Sequence, residues 1–151
     1  MPGVLGVGDL NRIAEVLGYA DIEAFAQDHL VVVDGLKVAI QPPGQKTKRL
    51  VSIPTLAPAA RADGSCHWLE GGRCSIHAVS PFGCAYIDAH MSNSDTERRS
   101  VFLYRELLAD LEADGQYTRL CAGLRRKGHI GLAVDLQRYR LVKAMKREFG
   151  K

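Results

Sequence analysis

Long hydrophobic runs are missing from this chain of 151 residues. No apolar stretch approaches the roughly 18 residues a membrane span requires, so no spanning helix is expected. The opening residues, Met1 to Asp9, lack a basic start and an extended apolar stretch, so they do not read as a secretory signal. The expected address is therefore the cytoplasm. Cysteine is scarce: four residues are few for a disulfide-stapled scaffold, and a chain of this length does not need staples. Charge of one sign is lacking too. A net charge of +3 with 46% apolar residues excludes a disordered chain. Phosphate-binding and nucleophile motifs are also absent. Gly3, Gly6 and Gly8 lead into no Gly-Lys-Ser/Thr and follow no strand, and no Gly-x-Ser-x-Gly occurs.

What remains is one ordinary domain, residues 1–151, with no repeat or linker. Its charge is uneven. From Arg125 to Lys151 there are nine basic residues and two acids, giving +7, and the rest of the chain carries −4. Such a tail suits nucleic acid, an acidic partner or, equally, the chain's own acidic body, and a protein partner or oligomer is open as a separate expectation.

The spacing predicts an α+β, α-rich fold. Asp9 opens a short helix through Leu17 with Leu10, Ile13, Ala14 and Leu17 on one face, and Gly18 stops it. Asp21 caps a second helix carrying Ile22, Phe25 and Ala26. The period then changes: Leu30–Val33 and Leu36–Ile40 flank Asp34-Gly35, a dipeptide suited to a tight hairpin turn, and Leu50–Ile53 adds a third strand. A small antiparallel sheet follows from these. From Pro54 to about Met91 periodicity is weak and three of the four cysteines occur. An irregular segment of that length needs an organiser, and a bound metal would serve. Ser94-Asp95-Thr96-Glu97 is a capping-box pattern opening a helix to about Ala113 with Val101, Tyr104, Leu108 and Leu111 inward. A last helix is expected from Ile130 to Phe149.

Cys66, Cys74 and Cys84 follow a C-x7-C-x9-C spacing, and Cys121 comes later. Thiolates suit zinc, iron or an iron–sulfur cluster, and four of them satisfy a tetrahedral ion or a small cluster. Gly71-Gly72 permits a reversal that returns Cys74 towards Cys66. Buried, unreactive cysteine is the plain alternative, strongest for Cys121.

The strings Cys66-x-x-Leu69, Gly72-Arg73-Cys74-Ser75-Ile76-His77, Pro81-x-x-Cys84 and Cys121-Ala122-Gly123-Leu124 together resemble the YkgJ-like cysteine-cluster family, described as a zinc- or iron-chelating domain. The resemblance covers residues 9 to 124 and rests on about ten positions. It implies metal binding at Cys66, Cys74, Cys84 and Cys121, and it supplies no reaction. The chain departs from the family in having no cysteine before Cys66, Ser80-Pro81 in place of Arg-Pro, and Cys84-Ala85 in place of Cys-Arg.

His77 stands where the family has Tyr or His; it is the alternative fourth ligand in place of Cys121. His67 reaches the same ion only if the backbone turns sharply after Cys66. Asp88 and His90 can form a polar pair, and His29 and His129 cap helices or face solvent. Trp68, the one tryptophan, adjoins Cys66 and would shield the centre from water.

Three functions remain open. The first is a small metalloprotein with zinc, or else iron or an iron–sulfur cluster. The second is a metal-dependent redox or modifying enzyme using His77 or Asp88 in proton transfer. The third is a structural-zinc module whose basic C-terminal helix binds an acidic partner or nucleic acid.

Overall fold

The structure, a computed structural model, describes residues 3–41, 44–86 and 90–131. Two short helices open it. α1 (Asp9–Val16) buries Leu10, Ile13 and Ala14 and ends before Gly18, whose φ of 78° stops the helix. Asp9 is the first residue of α1 rather than its cap; Gly8 holds the cap position without a side-chain bond. α2 (Ile22–His29) is capped as expected by Asp21, whose carboxylate accepts the Glu23 N–H at 2.9 Å.

The turn expected at Asp34-Gly35 does not form. β1 (Leu30–Ile40) continues through it and pairs antiparallel with β2 (Arg49–Pro58), from Leu30 opposite Pro58 to Ile40 opposite Arg49. The register shifts between Asp34 and Lys37, which marks a bulge. Gly35 is required there for space: a Cβ on it would stand 2.0 Å from the Ile53 carbonyl oxygen and 2.4 Å from Thr55 Oγ1. The interrupted ladder also accommodates Pro54, which has no N–H to give, opposite Asp34. The strand expected at Leu50–Ile53 therefore extends to Pro58 and shortens the irregular segment from its N-terminal side.

A second, minimal sheet follows. β3 (Leu69–Glu70) and β4 (Arg73–Cys74) are joined by Gly71-Gly72, whose φ values of 53° and 78° are those of a tight two-residue turn. A 3₁₀ turn (His77–Val79) and the single-turn α3 (Phe82–Ala85) lead to the long α4 (Asn93–Glu112). Ser92, not Ser94, caps α4: its Oγ accepts the Asp95 N–H at 3.2 Å and donates to Asp95 Oδ2 at 2.6 Å.

α5 (Gln116–Arg126) was not anticipated from the sequence, although Tyr117, Leu120, Cys121 and Leu124 are all buried at helical spacing. Its first amides are satisfied from α4. Asp110 Oδ1 accepts the Thr118 N–H and the Thr118 hydroxyl, each at 2.7 Å. After Gly128, whose φ is 79°, the chain turns alongside β1: Val32 N–H donates to the His129 carbonyl and Gly131 N–H to the Val32 carbonyl, both at 2.9 Å. Ile130 thus forms a parallel bridge with Val32 instead of starting a helix, and the rest of the helix expected to Phe149 lies outside the described residues.

The fold is α+β and helix-rich, with five helices among the described residues around two small antiparallel sheets. One apolar cluster runs through Leu10, Ile13, Phe25, Leu30, Val32, Leu56, Leu103, Leu107, Tyr117 and Leu124. No helix among the described residues is long and apolar enough to cross a membrane.

Tyr117, 1% exposed, fastens distant parts of this core. Its oxygen accepts the Leu56 N–H of β2 at 2.6 Å and its hydroxyl donates to the Leu5 carbonyl at 2.9 Å. Tyr117→Phe leaves both backbone groups unpartnered in a dry interior. It should lower unfolding free energy by about 1–3 kcal/mol, read from urea denaturation; an unchanged midpoint would show that the bridge contributes nothing.

Candidate functional site

The Gly71-Gly72 reversal brings the two ends of a short loop together. Leu69 pairs with Cys74 across the hairpin, and the Ser75 N–H donates to the Trp68 carbonyl at 2.8 Å. Cys66 sits at the other end, bridged to Ala60 and followed at once by a sharp turn in which the Leu69 N–H returns to the Cys66 carbonyl at 3.0 Å. The Trp68 backbone amide in that turn favours the Cys66 thiolate.

Cys84 arrives from a different direction. It lies on α3, whose first amide, the Phe82 N–H, donates at 2.7 Å to the buried Asp9 carboxylate of α1. The segment before α1 presses directly on α3, with the Gly83 N–H donating to the Val4 carbonyl at 2.9 Å. A Cβ on Gly3 would stand 2.6 Å from Cys84 Sγ, so only glycine allows this approach, and the Gly3 backbone amide favours the Cys84 thiolate.

Cys66, Cys74 and Cys84 thus come from three segments into electrostatic range of one another. Burial pushes the Cys66 thiol up, the Trp68 amide opposes this, and neighbouring Cys74 adds to it. Cys84 is exposed at the surface, yet partial desolvation also raises its thiol, the Gly3 amide opposes this, and Cys66 and Cys74 push it higher. Cys121 stands elsewhere, buried on α5, where desolvation pushes its thiol to about 12 and the charges it feels are those of Arg125 and Asp110. His77, exposed at the start of the 3₁₀ turn, follows Cys74 by three residues. Asp88 lies outside the described residues. Among the described residues no group of three or more His, Cys, Asp or Glu side chains is gathered to hold a metal ion as it stands.

A polar chain missed in the sequence runs beside the thiols. Tyr19 donates its hydroxyl to Asp28 at 2.8 Å, and His29 Nε2 lies 2.9 Å from the same Tyr19 oxygen. His29 Nδ1 meets His67 Nε2 at 3.0 Å. Donor counting sets the tautomers. The single Tyr19 proton is given to Asp28, so His29 Nε2 must carry a proton. With His29 neutral, its Nδ1 accepts from His67 Nε2–H, and His67 Nδ1 keeps a free lone pair. His29 therefore neither caps a helix through its ring nor turns to solvent. His67 does sit in a sharp turn, but its ring is directed to α2. The rings of Phe25, His29, His67 and Trp68 pack together, and buried Trp68 Nε1 has no hydrogen-bond partner among the described residues. Residues 29 and 67 are separated by 38 positions with no shared periodicity, so nothing in the sequence pairs them.

No family model matches this chain, and neither a curated protein nor a solved structure matches it.

Two outcomes follow from the ionisation of these groups. Cys121 should resist iodoacetamide at about pH 8 in the folded protein and react once urea exposes it; mass spectrometry showing it alkylated as fast as Cys84 would contradict its burial. Desolvation lowers both His29 and His67 below the ordinary 6.5. The unfolded chain then takes up these protons first as pH falls. Their contribution is complete above about pH 7 and is lost as pH drops through 6.5 towards the folded values. The melting temperature should fall between about pH 7.5 and 5.5, and His67→Gln should flatten that slope; equal slopes in the two proteins would refute the pairing.

Proposed function

We propose that this chain is a small metal-binding protein whose centre is built on Cys66, Cys74 and Cys84, taking zinc first and iron or an iron–sulfur cluster second. One observation carries the reading: three thiols from separate segments come into electrostatic range, Cys74 acting on Cys66 and both on Cys84, while the backbone amides of Trp68 and Gly3 favour the thiolates of Cys66 and Cys84. An amide donor gains most from an anionic sulfur, and the thiolate is the form that ligates metal. Cys74 opposes the ionisation of Cys66, and both oppose that of Cys84, a conflict that a cation among them would remove. The donor chemistry is soft, which suits thiophilic ions, and binding would draw the sulfurs closer than they stand. Resemblance of the same three cysteine positions to the YkgJ-like pattern supports this centre.

Cys121, packed in the core with its thiol at about 12, is the cysteine least suited to join the other three. The remaining position then falls to an imidazole such as His77 or to an exogenous molecule. An ion with an open position can polarise or activate what binds there, so the centre would be that of a metal-dependent redox or modifying enzyme. His77, three residues after Cys74, would move a proton beside it.

Elemental analysis of protein purified without oxygen should find about one zinc, or iron in its place, per chain. Cys74→Ser and Cys84→Ser should lose it while Cys121→Ser retains it. An absence of metal in the unaltered protein, or full occupancy and an unchanged melting point in Cys74→Ser, would overturn the assignment. Loss in Cys121→Ser as well would indicate a closed four-thiolate site and a structural ion instead.

A further inference from the structure

A surface feature on the far side of α3 has no part in the thiol centre. The rings of Phe82 and Tyr86 stack at 5.0 Å with 30° between planes, and Phe82 and Phe102 at 6.3 Å with 21°. Arg99 closes one end: its guanidinium lies 5.9 Å from the Tyr86 ring centroid and donates to the Tyr86 carbonyl at 2.6 Å. Phe82 rests against the core, and the two outer rings stand clear of it. Tyr86 is 52% exposed and Phe102 is 56% exposed, whereas the apolar face of α4 that packs inward is Val101, Leu103, Leu107 and Leu108.

We propose that this stack is a platform for single-stranded nucleic acid, with a base laid on the open face of Phe102 and the phosphate backbone running past the arginines of α4. Three observations select this occupant. The rings already form a run of near-parallel planes, and a base is the flat unit that continues such a run without a shaped pocket. Phe102 has cations one turn away on either side: Arg98, Arg99 and Arg105 are exposed on the same helix, and the acids that share this face are Asp95, which pairs with Arg98, and Glu106. Among the described residues Arg98 is held by a surface ion pair to Asp95 at 3.1 Å, with 78% of its side chain exposed, so a phosphate can take it over at little cost.

The test uses the full chain and a fluorescein-labelled oligothymidine of about 12 nucleotides, followed by anisotropy at low salt. Phe102→Ala removes an exposed ring and should leave the melting point unchanged while weakening binding roughly tenfold. Arg98→Ala should weaken it and reduce the steepness of its salt dependence by roughly the one phosphate lost. Leu50→Ala, which removes another exposed apolar side chain (67%) on β2, should bind as the unaltered protein does. Absence of binding at about 100 μM protein, or equal binding by Phe102→Ala, would overturn the proposal, the latter assigning the contact to the basic tail. Equal loss in Leu50→Ala would overturn it as non-specific adsorption. Self-association abolished by Phe102→Ala without oligonucleotide binding would replace nucleic acid with a second copy of the chain.

Discussion

A buried carboxylate at the start of α1 holds the N-terminal segment, α1 and α3 in one arrangement. Asp9 Oδ2 accepts the Gly6 N–H at 2.8 Å and the Phe82 N–H at 2.7 Å, while Oδ1 takes the Arg12 guanidinium at 2.5 Å. Arg12 also reaches the Ser80 carbonyl at 3.2 Å, two residues before α3. A charge this deep persists only when its lone pairs are filled, and these donors fill them. The cost of emptying any one is what fixes the position of α3, and with it Cys84 and the base of the aromatic stack. Tyr117 performs the corresponding task across the core, and Asp110 does so between α4 and α5. In each case a side chain of one element satisfies backbone groups of another.

That habit explains which parts of the fold were legible. α1 and α2 could be read because their apolar spacing is local, and Asp21 caps its own helix. The hairpin between Cys66 and Cys74 could be read because Gly71-Gly72 takes the positive φ values of a tight two-residue turn without steric cost. α5 could not, despite its regular stripe, because Gly115 offers no side chain to announce a helix and Asp110 supplies the cap from the preceding one. At the start of α4 two serines each precede an acid by three residues, and the choice falls on Ser92, whose carbonyl also accepts the Thr96 hydroxyl at 3.1 Å. Asp34-Gly35 misled for a related reason: glycine serves a turn through its freedom, but here it serves a bulge through its lack of a side chain.

The candidate site divides along the same line. The association of Cys66 with Cys74 was foreseeable, but the approach of Cys84 depends on Asp9 and Gly3, which lie more than seventy residues away in sequence. The Asp28–Tyr19–His29–His67 chain was equally hidden. It places an imidazole lone pair and a buried indole N–H within the loop whose two ends carry thiols. One short hairpin therefore presents both soft donors and a proton-accepting nitrogen, on a frame clamped to α2 by hydrogen bonds rather than by apolar packing alone.

The order of assembly follows from these distances along the chain. Cys66 and Cys74 meet as soon as one two-residue turn forms, an event of microseconds that needs no other part of the protein. Cys84 joins them only after the N-terminal segment has closed a loop of some eighty residues, and loops of that length close against an entropic penalty. A nascent chain therefore carries a two-thiol loop before it carries a three-thiol cluster. During that interval the thiols are available to each other, or to any thiophilic ion at hand, without the amide of Gly3 to direct the outcome.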